Sequence, residues 1–249
     1  MASSYPRIAF QNLFNTSNIS VTSEDTGYEI INLLDWKTYT TWKASSTDSQ
    51  IITGDFSSNY TIDCLAFENH NLNGKTITIE SSEDGGSNWT VRASFTIASD
   101  KAYAAYFTMF SANLIRITIP PGSEVVEIGV LIIGKSLEIP SLPDSGFDPT
   151  HRVATLDDAE SETGRLLGRN VLYTKVKLSL NFPYLTQEWC NDYYIPFWEE
   201  HAHLPFFFTW NFSQDPANTY YVRFPSPELN LPFVNVYRSL YFDLEGLYE

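Results

Sequence analysis

Four histidines, thirty carboxylates and two cysteines are the side chains from which this 249-residue sequence could build a reactive centre. Catalysis needs a nucleophile, a base or a metal held in mutual geometry, so the first question is whether these residue types recur at telling spacings. The histidines are His70, His151, His201 and His203, with neither a Gly-x-Ser-x-Gly elbow nor a His-Glu-x-x-His helix beside them. Glu199-Glu-His-Ala-His203 would set His201 and His203 on one face of a strand, yet no third ligand follows at a metal-binding interval, and a polar turn between helix and strand is the simpler reading. Asp157 with Asp158, and Glu160 with Glu162, read as a solvated charge run instead of the paired carboxylates of glycoside chemistry. Gly164-Arg-Leu-Leu-Gly168 lacks the Lys-Ser/Thr ending of a phosphate-cradling loop. Cys64 and Cys190 stand far apart and predict two buried free thiols, not a disulfide framework. The sequence thus predicts no enzyme, no metal and no cofactor.

The elements around these residues are mostly strands. Residues 5 to about 136 carry short alternating apolar runs between turn residues, the pattern of half-buried strands in a sandwich or barrel. Tyr60 to Phe67 places Tyr60, Ile62, Cys64 and Ala66 on one face, and Thr76 to Glu80 and Leu114 to Ile119 repeat the alternation with β-branched residues. Ser81 to Asn88 contains Asp-Gly and Gly-Gly, which supply the positive φ of a tight reversal. Val125 to Ile133 is continuously apolar, as a strand buried on both faces would be. Beyond it Pro140, Pro143, Gly146 and Pro149 punctuate a stretch that predicts a linker or long extended loop over residues 137–170.

Residues 171–249 predict a smaller β domain with one helix. Val176, Leu178 and Leu180 share one face of a long strand. Thr186 is a helix N-cap, with Trp189, Tyr193 and Phe197 four apart on one side, and Pro196 should end or kink that helix near Ile195. Further strands are predicted at Phe206 to Trp210, Tyr220 to Phe224 and Tyr237 to Leu244. The last 68 residues hold 20 of the 38 aromatics, so ring contact surface is concentrated there. Trp189, Trp198, Phe206, Phe207, Phe208 and Trp210 are candidates for an interface between subunits, with the core of the domain as the equal alternative.

Composition sets limits on partners. Fifteen Lys and Arg against thirty Asp and Glu give a net charge of −15, which opposes attraction to phosphate backbones and predicts no specific nucleic-acid binding. No run of eighteen apolar residues occurs, so no membrane insertion is predicted, and the first residues lack a charged-then-apolar leader, which predicts synthesis in a cytoplasm.

Asn32-Leu-Leu-Asp35 followed by Thr41-Trp42, the Asp55-Phe56 strand end, Ser82-Glu-Asp-Gly85 leading to Trp89, and Leu114-Ile-Arg-Ile117 occur in an order and spacing that resembles the discoidin family, the coagulation factor 5/8 type C domains of galactose-binding-like fold. The resemblance implies an N-terminal jelly-roll β-sandwich over residues 1–136, without the cysteine pair of many extracellular members. Leu65 to Leu72 also looks like jelly rolls of tailed-bacteriophage structural proteins. The strand Lys175 to Phe182, the helix near Trp189, Leu204 to Trp210 and a closing strand ending at Leu244-Glu-Gly246 resemble tail-tube or distal-tail proteins, in which a β-barrel with one helix assembles into a ring.

Together these resemblances imply a phage tail structural protein at the tail tip or baseplate. Its partners would be other tail proteins and further copies of itself, as a hexameric ring, and its place would be the virion tail, made in the bacterial host cytoplasm. The alternative is a carbohydrate-binding module or adhesin recognising a host glycan, since jelly rolls of this kind bind sugars on loops at one end. Its candidate ligand residues are Trp36, Tyr39, His70, Asn71 and Asn73, with Trp36 and Trp42 equally candidates for the core.

Overall fold

The computed structural model describes residues 5–211 and 218–247. The chain divides into two compact units, Met1–Glu138 with Phe206–Tyr220, and Ile139–Pro205 with Tyr221–Glu249.

The first unit is built on antiparallel strands in the order Trp42–Lys43, Glu127–Gly134, Gln50–His70, Tyr103–Ile119, Thr76–Ser82 and Thr90–Thr96, with Ile19–Val21 pairing on Gln50–His70 as well. β-branched alternation produces them. Ile77 and Ile79, and Ile115, Ile117 and Ile119, are wholly buried, while Glu80 and Arg116 on the other face join through two hydrogen bonds of 2.6 and 3.0 Å. The Arg116 guanidinium also lies 4.4 Å over the Trp89 ring. Two strands are long enough to serve two surfaces. Gln50–Asp55 pairs with Leu114–Ile119, whereas Tyr60–Phe67 pairs with Tyr103–Ala112 and Cys64–His70 pairs with Ile128–Gly134. The register shifts between Asp55 and Tyr60, and again between Ile62 and Cys64, let the strand bend and change partners. A jelly-roll sandwich results, closed over Leu33, Trp42, Ile52, Phe67, Ile117 and Leu131.

Cys64 to Phe67 departs from simple alternation, since all four residues are wholly buried. A second, smaller sheet provides the extra cover. It runs Thr219–Val222, Phe206–Thr209, Arg7–Ala9, Leu137–Glu138, and Arg7–Ala9 contacts both Gln50–His70 and Glu127–Gly134. Cys64 donates from Sγ to the Gly134 carbonyl at 3.3 Å, and burial pushes its thiol pKa well up. The same layering explains why Glu127–Gly134 is buried on both faces, as its continuous apolar run predicts.

Phe206, Phe207 and Phe208 therefore belong to the first unit, where Ala9 opposes Phe207 and Ile8 opposes Phe208. The expected division at 136 and 171 assigned them to the C-terminal domain. Three short strands from distant parts of the chain carry no local signal of whom they pair with, which is why sequence order misplaces them.

The second unit is an open antiparallel sheet in the order Arg152–Glu160, Leu166–Leu185, Tyr237–Leu247, Phe233–Val234, with one helical segment. Leu178 opposes Leu244, Leu180 opposes Phe242 and Phe182 opposes Leu240, and the face that Val176, Leu178 and Leu180 share is the buried one. Tyr194 and Phe197 from the helix pack on that face, Tyr194 at 5.7 Å from Phe242 between ring centroids and Phe197 at 6.4 Å from Phe224. The Thr186 hydroxyl caps the helix by accepting from the Trp189 amide at 3.2 Å, as its position predicts. Pro196 does not stop it. The helix passes from Gln187–Trp189 through a π-helical turn, Cys190–Tyr194, into Ile195–His201, with Pro196 in the first turn of the last piece. The Ile195 amide bonds back to the Cys190 carbonyl, and this wider turn lies just where the missing proline amide would interrupt a regular helix.

The stretch 137–170, expected as a linker, instead supplies the strand Leu137–Glu138 and a hairpin of Arg152–Glu160 against the start of Leu166–Leu185, turning through Ser161 to Arg165. Gly164 takes φ of 74° in that turn, and its amide bonds to the Ser161 carbonyl at 2.8 Å. Most of the hairpin's residues on both strands are exposed, so no burial imposes the period-two pattern by which strands are read. Among the described residues no helix is long and apolar enough to cross a membrane.

Candidate ligand-binding loops

The sandwich gathers the five candidate ligand residues at one end. Trp36 and Tyr39 lie in the loop after the short helical turn Ile30–Leu34, and His70, Asn71 and Asn73 lie where Gln50–His70 ends. Asn69 ties the two together, its Nδ2 donating to the Thr38 carbonyl at 2.6 Å. A third loop, residues 97–102, joins them through the Asn73 amide, which donates to Asp100 at 2.8 Å.

Two of the five serve the scaffold. His70 is buried, accepts from the Leu72 amide at Nδ1 (3.2 Å) and donates from Nε2 to the Lys101 carbonyl (3.1 Å). Loss of hydration on burial outweighs the nearby Asp100 carboxylate and the Lys101 carbonyl and lowers its pKa to about 4, so the ring is neutral. Asn71 spends both ends of its amide on backbone, donating to the Val125 carbonyl (2.8 Å) and accepting from the Glu127 amide (2.9 Å). These bonds hold the loops that carry the others.

The remaining three are placed to meet solvent. Tyr39 is 81% exposed, on a loop fixed from within by Asp35, which accepts from the Lys37 amide at 2.9 Å and from the Thr40 hydroxyl at 2.8 Å. The Lys37 ammonium stands 6.0 Å over the Tyr39 ring. Trp36 is half-buried and holds φ of 62°, a left-handed conformation costly for a bulky side chain. Trp42, by contrast, is wholly buried core and donates from Nε1 to the Ser23 carbonyl at 3.2 Å. Asn73 is exposed. Sequence reasoning missed Asn69 and Lys37. Asn69 sits at φ of 49°, and asparagine is one of the few residue types that tolerate that region, a signal visible only once the backbone is known.

The interface candidates divide differently. Phe206, Phe207 and Phe208 are wholly buried inside the first unit, so they leave no surface for a partner subunit. Trp189, Trp198 and Trp210 are half-buried, and Trp189 stacks on Tyr194 at 6.3 Å. The exposed rings of the second unit are others, among them Tyr184, Phe233, Tyr237 and Tyr241. His201 stacks on Phe197 at 6.5 Å with Glu200 3.6 Å from its Nε2, and among the described residues no three His, Cys, Asp or Glu side chains gather as a metal site.

Residues 18–128 match the F5/8 type C domain family, and residues 129–249 lie outside that match. No curated protein matches the chain. Among solved structures, chitosan-binding module 1 from a chitosanase/glucanase of Paenibacillus sp. IK-5 is 21% identical over 47% of this chain and 93% of that one, with a TM-score of 0.40. CpGH89CBM32-5 of Clostridium perfringens, in complex with GalNAc-β-1,3-galactose, is 20% identical over 47% and 94%, with a TM-score of 0.40. A GH29 fucosidase of Ruminococcus gnavus in complex with fucose is 21% identical over 51% of this chain and 27% of its own, with a TM-score of 0.44. Residues 18–128, within the N-terminal unit, form a discoidin-like jelly roll that matches the F5/8 type C domain family.

Proposed function

We propose that the N-terminal unit is a glycan-binding module whose ligand rests on the loop of residues 35–40, with Tyr39 as the stacking platform. The observation that supports this is the conjunction of a fully presented ring at Tyr39 with a strained backbone at Trp36 in one firmly tethered loop. A loop fixed before binding loses little conformational freedom when the ligand arrives, and a flat ring offers a sugar's C–H face a large contact at low entropic cost. Lys37 and Asn73 supply polar contacts to hydroxyls around that platform. A glycan array followed by calorimetry tests the reading. Specific binding should fall at least tenfold in Tyr39→Ala with the circular dichroism unchanged, and a blank array for the native chain overturns it.

A second reading, a ring-forming structural protein of a phage tail tip, is supported by a separate observation in the second unit. Tyr237 and Tyr241 point outward two positions of the same face apart, and Tyr184 meets Tyr237 edge-on at 6.0 Å, which leaves a patch of rings for a neighbour. Its partners would be further copies and other tail proteins. Electron microscopy of the purified chain distinguishes it: rings of about six subunits support it, and isolated subunits at high concentration count against it.

A further inference from the structure

The outward face of the second unit's sheet carries a small cavity that neither reading above uses. Alternation turns Val176, Leu178 and Leu180 inward and leaves Lys177 and Ser179 facing out, opposite Glu245 and Asp243 in the ladder. Lys177, Ser179, Pro225, Asp243 and Glu245 are among the residues lining a cavity of about 270 Å³. Arg223 exchanges two backbone hydrogen bonds with Glu245, at 2.9 and 3.0 Å, and this pairing brings Pro225 to the rim. Pockets for drug-sized ligands begin at roughly 300 Å³, so this one suits a ligand no larger than a single sugar ring.

We propose that this cavity binds one sugar-acid ring, a hexuronate, with its carboxylate on Lys177 and its ring hydroxyls on Asp243. Charge favours the acid. Glu245 gives one oxygen to Lys175 at 3.1 Å and the other to Arg223 at 2.8 Å, which leaves Lys177 without an ion pair among the described residues. Lys175, Lys177 and Arg223 together outnumber Asp243 and Glu245, so the patch is locally positive on a chain whose net charge is −15. Asp243 supplies the complementary acceptor. Its Oδ1 accepts from the Ser179 hydroxyl at 2.7 Å, and its Oδ2 has no hydrogen bond among the described residues, so it is open to hydroxyl donors. Spacing then selects among anions. Lys177 and Asp243 are diagonal neighbours across the two strands, which sets them about 7–8 Å apart. The ammonium and carboxylate of an α-amino acid sit too close together to reach both, and a bare phosphate would meet Asp243 as a like charge. A hexuronate carries its carboxylate on one side of the ring and hydroxyls on the other, as this diagonal requires.

The site lies in the second unit and uses none of the aromatic rings named above, so it stands apart from both readings. Titration of the full chain with galacturonate and with glucuronate, followed by backbone amide NMR, tests it. With one of these sugars the Ser179 and Asp243 amides should shift saturably, with a dissociation constant on the order of millimolar. Galactose and glucose, the neutral controls, should bind at least tenfold more weakly. Lys177→Met should bring the acid down to the level of its neutral control, and Asp243→Ala should weaken both. Both side chains are exposed, so circular dichroism should be unchanged. Tyr39→Ala should leave the titration as it is, which separates this site from the loop of residues 35–40. Absence of a saturable shift at those amides with either acid at tens of millimolar overturns the proposal. So does equal affinity for the neutral sugar, or a Lys177→Met variant that keeps the native preference.

Discussion

The hydroxyls of Tyr106 and Thr209 lie 3.0 Å apart, although 103 residues separate them in sequence. Thr209 in turn meets the Thr219 hydroxyl at 2.8 Å, and the Arg7 guanidinium lies 5.4 Å over the Tyr106 ring. This chain of polar contacts fastens the late segment to the N-terminal sandwich, with Arg7 opposite Thr209 in the small sheet.

Removing one link should be felt modestly. Tyr106→Phe deletes the phenolic hydroxyl while Thr209 keeps its bond to Thr219, so the cost should be about 1 kcal/mol. Urea denaturation of Tyr106→Phe, Thr209→Val and the double variant closes a cycle, and a coupling indistinguishable from zero would show that the contact carries no energy.

Acid should weaken the fold through His70. Its pKa is lowered from 6.5 to about 4 in the native state, so between those values the unfolded chain binds the proton and the folded chain does not. The stabilisation is present in full above pH 6.5, declines as the pH falls toward 4, and is constant below that. The total is about 3 kcal/mol, using roughly 1.4 kcal/mol per pKa unit. His70→Gln should flatten that part of the stability profile, and an imidazole resonance that titrates near pH 6.5 in the folded protein would contradict the account.

Asn69 should matter to binding without touching ligand. Asn69→Ala loses the bond to the Thr38 carbonyl and places a less tolerant residue at φ of 49°, which together should cost roughly 1–3 kcal/mol. Glycan affinity should fall less than in Tyr39→Ala, because the stacking ring survives on a looser loop. Equal losses in the two variants, measured by calorimetry, would argue against this division of labour.

In the second unit Phe242 is the place where ring packing should be most costly to lose. It is wholly buried and lies 5.5 Å from Phe182, 5.7 Å from Tyr194 and 5.6 Å from Phe224. Phe242→Ala should destabilise that unit by about 3–5 kcal/mol, since the surrounding rings cannot collapse into the space. Thermal unfolding followed by near-ultraviolet dichroism, which reads the packed rings, checks it.

How much of this was legible beforehand differs from element to element. Ile115, Ile117 and Ile119, or Leu178 and Leu180, announce their strands because one buried face imposes a period of two on a few consecutive residues. Thr186 announces a helix start for an equally local reason. The hairpin at Arg152–Glu160 was invisible because nothing buries either of its faces, so its composition resembles a loop. Pro196 misled because the rule that proline breaks a helix ignores a π turn that accommodates it.

The candidate site divides along the same line. Tyr39 and Trp36 could be named from sequence as ring-bearing loop residues, but that His70 and Asn71 brace the loops from beneath, while Asn69 holds Thr38, depends on bonds between segments about thirty or more residues apart.

The sequence by itself determined the β class, the discoidin-like order of motifs and the shared apolar face of strands such as Val176 to Leu180, because those follow from neighbours within a few positions. Tertiary structure alone decided that Phe206–Thr209 completes the sheet begun by Arg7–Ala9, and that Cys64 to Phe67 is covered on both sides. Strand pairing joins residues with no local preference for one another, and only the closed sandwich makes one arrangement bury both faces at once.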